Sequence, residues 1–211
     1  MTKEKPIIFS TPMVKAILDG KKTQTRRVIR GCDDYCIPLN DFIDNEKKTF
    51  AIRNQDPEGN PISLCERSMP MCVGDTLWIR ETFANIRNNG FLYKADPMFD
   101  TMKHGDYGRN WKPSIHMPRA AARIFLKVKS VRVERLHGIS EEDAKAEGVE
   151  PVGIFNDLDG NESICVGQTY IEPFANLWDL INAKSGYSWE SNPWVWVYTF
   201  KKIELRKGEN G

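Results

Sequence analysis

The sequence predicts an α+β protein in which short helices flank strongly bent strands, and three observations carry that expectation. Apolar residues recur at helical spacing in 12–19 and 169–183, and a third helix is delimited at 140–148 by Ser140 and Gly148. Runs of alternating or continuous apolar residues at 76–83, 120–135 and 194–200 read as strands. In the longest run, Ala122, Ile124, Leu126 and Val128 share one parity, whereas Val131 and Val133 take the other. That slip near Ser130 predicts a bulge or sharp coil, as small barrels use. The 211 residues, 24.2 kDa, suit one domain, residues 1–211, carrying inserted loops at about 31–72 and 84–118.

The elements follow in chain order. Pro6 to Ser10 holds Ile7, Ile8 and Phe9 and predicts a short buried strand. Thr11 with Pro12 behind it reads as a helix N-cap followed by proline, and Gly20 stands where a left-handed C-cap belongs. A strand is expected over 27–30. Residues 31–72 hold turn chemistry at 56–61 and brief apolar patches, and read as irregular. From Thr76 to Phe83, regular alternation puts Leu77, Ile79, Glu81 and Phe83 on the buried face. Asn88, Asn89 and Gly90 predict a turn, with Phe91 to Ala95 returning as a hairpin. Residues 96–118 and 149–167 read as loops. The helix over 169–183 turns Ile171, Phe174, Leu177, Trp178 and Ile181 to one face. Trp194 to Phe200 is apolar on both parities, which predicts a central strand covered on both sides, its aromatics serving as core in preference to a base-stacking platform.

Composition excludes several classes. No apolar run approaches a membrane span, and the first residues lack the apolar core of a secretory signal, so a cytoplasmic protein without membrane contact is expected. Five cysteines in that setting argue against a disulfide framework. Cys32, Cys36, Cys65 and Cys72 fall in one stretch, but their spacing is not that of zinc knuckles; free thiols are expected and zinc is the lesser alternative. The formal net charge of +1 makes no case for a nucleic-acid partner, but its distribution is uneven. Residues 1–30 hold eight Lys/Arg against two acids, 119–135 six against one, and 136–190 two against eleven. A basic face over 21–30 and 119–135 would steer phosphates, with affinity falling steeply with salt. Mixing of charges over the surface is the alternative.

Chemistry concentrates in residues 20–27, where Lys21, Lys22, Arg26, Arg27 and two threonine hydroxyls follow a capped helix. Glu81 would be a carboxylate among apolar neighbours, needing a partner or a raised pKa, unless it meets water or an arginine at a strand end. Glu147 sits in the last turn of its helix, where a carboxylate faces the negative pole. Lysine, hydroxyl and carboxylate together can activate a hydroxyl or water against an amide, and the same groups can bind a polar base. Lys22 and Thr25, three apart, would face opposite ways on a flat strand and converge only if Lys22 lies in the turn after Gly20.

Gly20-Lys21-Lys22-Thr23-Gln24-Thr25-Arg26 after Ile17-Leu18, then Gly74-Asp75-Thr76-Leu77-Trp78, then Ile139-Ser140-Glu141-Glu142-Asp143 through Gly148, resemble in order the three blocks of the ASCH domain superfamily. The stretches Trp111 to Arg119 and Asn192 to Val197 resemble its larger phage and prophage members. The resemblance implies a PUA-like fold, a small bent β-barrel flanked by short helices, with RNA or a modified nucleoside as partner and no cofactor. One branch of the superfamily deacylates N4-acetylcytidine through a lysine, a threonine and a glutamate, which match Lys22, Thr25 and Glu147 here. This chain is about twice the length of that branch, so the inserted loops could reshape the cleft. Two readings follow: recognition of RNA or a modified base in a basic cleft, with Lys21, Arg26, Arg27, Glu81, His116 and Arg119 as further ligand contacts; or hydrolysis, of an acylated cytidine or of RNA. His116 reads equally as a loop hydrogen-bonder.

Overall fold

The computed structural model describes residues 4–32, 35–86, 90–99, 110–156, 162–166 and 169–204. The elements are β1 (Glu4–Ile8), α1 (Thr11–Leu18), β2 (Gln24–Val28), β3 (Cys36–Asp44), β4 (Thr49–Gln55), β5 (Pro61–Ser68), β6 (Thr76–Arg80), β7 (Phe83–Ile86) and β8 (Gly90–Tyr93). They continue as β9 (Phe125–Arg135), α2 (Glu141–Ala146), β10 (Val152–Asn156), β11 (Glu162–Val166), α3 (Ile171–Asn182) and β12 (Trp194–Ile203). Open sheets with parallel and antiparallel pairs, joined by few and short helices, make the fold α+β. No helix of the described residues is long and apolar enough to cross a membrane. The chain divides into two compact units: Met1–Gly20, Val73–Lys129 and Phe200–Gly211 form one, and Lys21–Cys72 with Ser130–Thr199 the other.

In the first unit β1 runs parallel to β6, which pairs antiparallel with the start of β9, Thr76 opposite Lys127. Leu77, Ile79, Glu81 and Phe83 are all 2% exposed or less, the face that alternation predicts. The expected single strand over 76–83 nevertheless stops at Arg80, and β7 forms a separate hairpin with β8, Phe83 opposite Tyr93. Asn88 and Asn89 of the expected turn lie outside the described residues. Helix α1 buries Val14, Ala16 and Ile17. Its N-cap is Ser10, one residue ahead of the expected Thr11, because Thr11 already has helical geometry and Pro12 takes a first-turn position.

In the second unit β12 pairs antiparallel with β2, Val195 opposite Val28 through Thr199 opposite Gln24. Val195, Val197, Leu136, Ile139, Ala144, Phe174 and Trp178 form its core. Trp196 and Tyr198 are buried as well, so β12 is covered on both faces and its aromatics are core, as the two-parity pattern predicts. Along α3, Phe174 and Trp178 are buried, but Ile181 is 48% exposed, because the helix leaves the core before its last turn.

Two expectations of irregular structure are corrected. Residues 31–72 contain the antiparallel meander β3-β4-β5, anchored by Phe50, Ala51 and Ile52 of β4, all buried. Alternation hid β5 because that edge strand is open to solvent on both faces. The expected loop 149–167 contains the hairpin β10-β11, Val152 opposite Val166. At the phase slip near Ser130, Ile124, Leu126 and Val128 are buried before it and Val133 after it, and β9 runs through it from Phe125 to Arg135. Cys32, Cys36, Cys65 and Cys72 take part in no disulfide, and among the described residues no three His, Cys, Asp or Glu side chains converge as metal ligands.

Candidate functional site

The site grows from a turn. After α1, Asp19 caps the helix and Gly20 takes φ +75°, a left-handed conformation that a side chain would strain. Residues 21–23 are irregular before β2 starts, so Lys22 lies in that turn and strand alternation does not set its direction. Thr23 N–H donates to the Ala146 carbonyl at 2.8 Å, fastening the turn to the end of α2. Lys22 Nζ then donates to the Glu147 carbonyl at 2.8 Å and to Glu147 Oε2 at 2.7 Å. The carboxylate at the unfavourable helix end is thereby explained, since a buried cation meets both it and the free carbonyl there.

Arg26 completes the surroundings of Glu147. Its Nη1 donates to Glu147 Oε1 at 3.2 Å, and its Nη2 to Glu134 Oε1 at 2.5 Å and Asp143 Oδ2 at 2.8 Å. Arg132 donates to Glu134 Oε2 at 2.9 Å and to Asp143 Oδ2. Lys22, Arg26 and Arg132 thus face Glu134, Asp143 and Glu147, a balanced cluster graded from the interior outward. The Lys22 and Arg26 side chains are fully enclosed, and that of Arg132 is 36% exposed. Such a cluster repays its desolvation only by complete pairing.

Burial lowers the Lys22 pKa from its ordinary 10.5; Glu147 opposes that shift, while Arg27 and Arg26 add to it. Asp143 is held below the usual carboxylate range: burial would raise it, but the hydrogen bond from Arg26 and the charges of Arg132 and Arg26 prevail. The Arg27 guanidinium is lowered by burial, against the pull of Glu147.

Lys22, Arg26 and Glu147 are therefore brought together. Thr25 is buried in β2 opposite Tyr198, and alternation puts it on the face of Arg27, away from Arg26. Lys21 is exposed and paired with Glu150 at 2.6 Å. Arg26, expected among the ligand contacts, has its guanidinium committed to carboxylates. Glu134, Asp143 and Arg132 are the members that sequence reasoning missed. Asp143 in α2 and Glu147 at its C-cap stand four apart, on one side of the helix, and that spacing was the available signal.

Glu81, His116 and Arg119 lie in the first unit. Arg123 grips the buried Glu81 at 2.9 and 3.1 Å and Asp96 at 2.5 Å, with its guanidinium 3.9 Å from the Tyr93 ring centroid. Burial raises the Glu81 pKa, with the Arg123 hydrogen bonds and charge pulling the other way. The arginine that the alternative reading of Glu81 required is thus Arg123, nothing in the local sequence having singled it out. Arg119 makes a two-pronged pair with Glu4 at 2.8 and 3.0 Å, and His116 is exposed in a 3-10 turn.

No family model matches the chain, and no curated protein does. Among solved structures, the chain aligns over its whole length with 86% of a DUF984 protein from Enterococcus faecalis V583, at 10% identity and a TM-score of 0.41. Over 95% of its length it aligns with 79% of an ASCH domain from Lactobacillus crispatus JV V101, at 12% identity and a TM-score of 0.40.

Proposed function

We propose that the chain is an ASCH-superfamily protein directed at RNA or a modified nucleoside, acting in the cytoplasm, with the Lys22 and Glu147 group as its recognition site. The three motif blocks support the superfamily, and with it a single domain built on a PUA-like bent barrel and related to the larger phage and prophage members. The observation that carries the reading is the enclosed Lys22 ammonium in the first block, hydrogen-bonded twice to the Glu147 of the third. Two motif blocks 125 residues apart in sequence meet in one charge cluster. Donors from Lys22 and Arg27 and an acceptor from Glu147 are the groups that a polar base edge requires.

Hydrolysis is the second reading, and the lowered Lys22 pKa favours it. A lysine whose pKa burial lowers releases its proton more readily, and the neutral amine so formed can accept a proton from the Thr25 hydroxyl or from water as that oxygen attacks an acyl carbonyl. Glu147 would then orient Lys22 and carry the proton onward. The test incubates the protein with N4-acetylcytidine and a panel of modified nucleosides and separates products by chromatography, with Lys22→Ala and, as control, Arg53→Ala at an exposed position outside the cluster in parallel. The hydrolase reading expects turnover that Lys22→Ala reduces at least 100-fold while Arg53→Ala retains most of it. Binding without turnover, lost in Lys22→Ala, leaves recognition standing. Neither binding nor turnover on any nucleoside or RNA, in a variant set that stays folded, overturns both.

A further inference from the structure

The end of β2 and the turn after it, with β4, β5 and β12, line an open cleft of about 360 Å³ in the second unit that the Lys22 group does not line. Its floor is apolar: Phe50 and Trp196 meet edge to face, ring centroids 4.5 Å apart at 74°, beside Pro70. Its polar lining is Arg30, Arg67 and Ser68, all exposed, and no acid contributes to it. The volume falls within the roughly 300–1,000 Å³ of small-molecule sites, which combine apolar walls with few polar groups.

Arg67 is seated. Its Nη1 donates to the Gly31 carbonyl at 3.2 Å and lies 3.5 Å from that of Arg30, which holds the guanidinium against the turn after β2. Gly31 has φ +72°, a left-handed conformation that calls for glycine, and a Cβ there would stand 3.3 Å from the same Nη1. A guanidinium docked by one nitrogen keeps the other donors of its fork for an anion.

We propose that this cleft binds a nucleoside monophosphate, its base against the apolar lining of Val28, Ile29, Pro70 and the ring edges of Phe50 and Trp196, and its phosphate between Arg30 and Arg67, with the Ser68 hydroxyl as a further donor. Two guanidiniums without a lining carboxylate match a phosphate dianion, whereas a carboxylate ligand would neutralise only one of them. The apolar floor selects a ligand with a ring attached over inorganic phosphate. The nucleotide is either free or the 5′-phosphorylated end of a single strand, and both present the same base and terminal phosphate dianion.

Isothermal titration with CMP, AMP, cytidine, inorganic phosphate and a short single-stranded RNA tests this. The expected result is binding of CMP or AMP at least tenfold tighter than cytidine or phosphate, weakened at least tenfold in Arg67→Ala and unchanged in Arg53→Ala, an exposed β4 arginine outside the lining. Binding of the RNA with the same Arg67 dependence identifies a strand as the source; binding of the mononucleotides alone identifies a free nucleotide. Equal affinity for cytidine and CMP, no binding, or Arg67→Ala behaving as wild type overturns the proposal. The readout is binding and its variants lie outside the Lys22 group, so a protein inert toward modified nucleosides leaves this site intact.

Discussion

Lys22 is fully enclosed, and its charge persists there because Glu147 supplies both a carboxylate and a helix-end carbonyl. Removing one partner of a buried pair leaves the other uncompensated, so Lys22→Ala is expected to cost about 3 kcal/mol in urea unfolding. The shift direction also sets a pH dependence. Between the lowered folded-state pKa and the ordinary 10.5, the unfolded chain holds more protons than the folded one, so stability rises with pH in that window. Below it Lys22 is charged in both states and the full burial cost applies. The stability difference between wild type and Lys22→Met should therefore shift toward wild type as pH rises through the alkaline range. A pH-independent difference would sink this account of Lys22. Glu81 behaves oppositely: its raised pKa means that the folded state holds more protons just above pH 4.5, and its contribution falls as pH rises there.

At the scale of elements, α2 is only six residues long and, with Glu147 as its C-cap, presents Asp143 and Glu147 on one side while tying the turn at Thr23. So short a helix has little stability of its own. Its N-terminus is held by the Ser140 hydroxyl, which accepts the Asp143 N–H at 3.2 Å. Ser140→Ala should cost about 1 kcal/mol by urea unfolding, and loosening α2 should also weaken whatever ligand the Lys22 group binds. An unchanged unfolding midpoint would show that tertiary contacts alone hold the helix. Strand β2 has the converse role: its regular pairing with β12 sends Gln24 and Arg26 to one face and Thr25 and Arg27 to the other.

For the molecule as a whole, pairing tempers the basic surplus of residues 1–30 and 119–135. Arg26, Arg119, Arg123 and Arg132 each meet a carboxylate, so fewer cations than the linear count suggests are left to displace counterions. The steep salt dependence expected from sequence gives way to a shallower one. Affinity for single-stranded RNA should fall by about tenfold or less between 50 and 200 mM salt, corresponding to roughly two phosphate contacts. A fall of about 1,000-fold would show that the paired arginines exchange partners on binding.

The sequence by itself determined the elements whose local signals agree: α1 with its proline and Gly20, α2 with its Ser140 cap, the buried alternation through Glu81, and β12, apolar on both parities. It also marked Lys22 and Glu147, because a lysine after a helix-ending glycine and a glutamate at the wrong helix pole are local anomalies. Only the tertiary structure decided what those anomalies meet. The partners of Glu81 and Arg26 come from 42 and 108 to 121 residues away, and neither spacing nor periodicity encodes such distances. Strand β5 of the meander escaped for a related reason. Ile62 and Leu64 are exposed there, so the strand is defined by hydrogen bonds to its neighbour β4, which a linear sequence does not display.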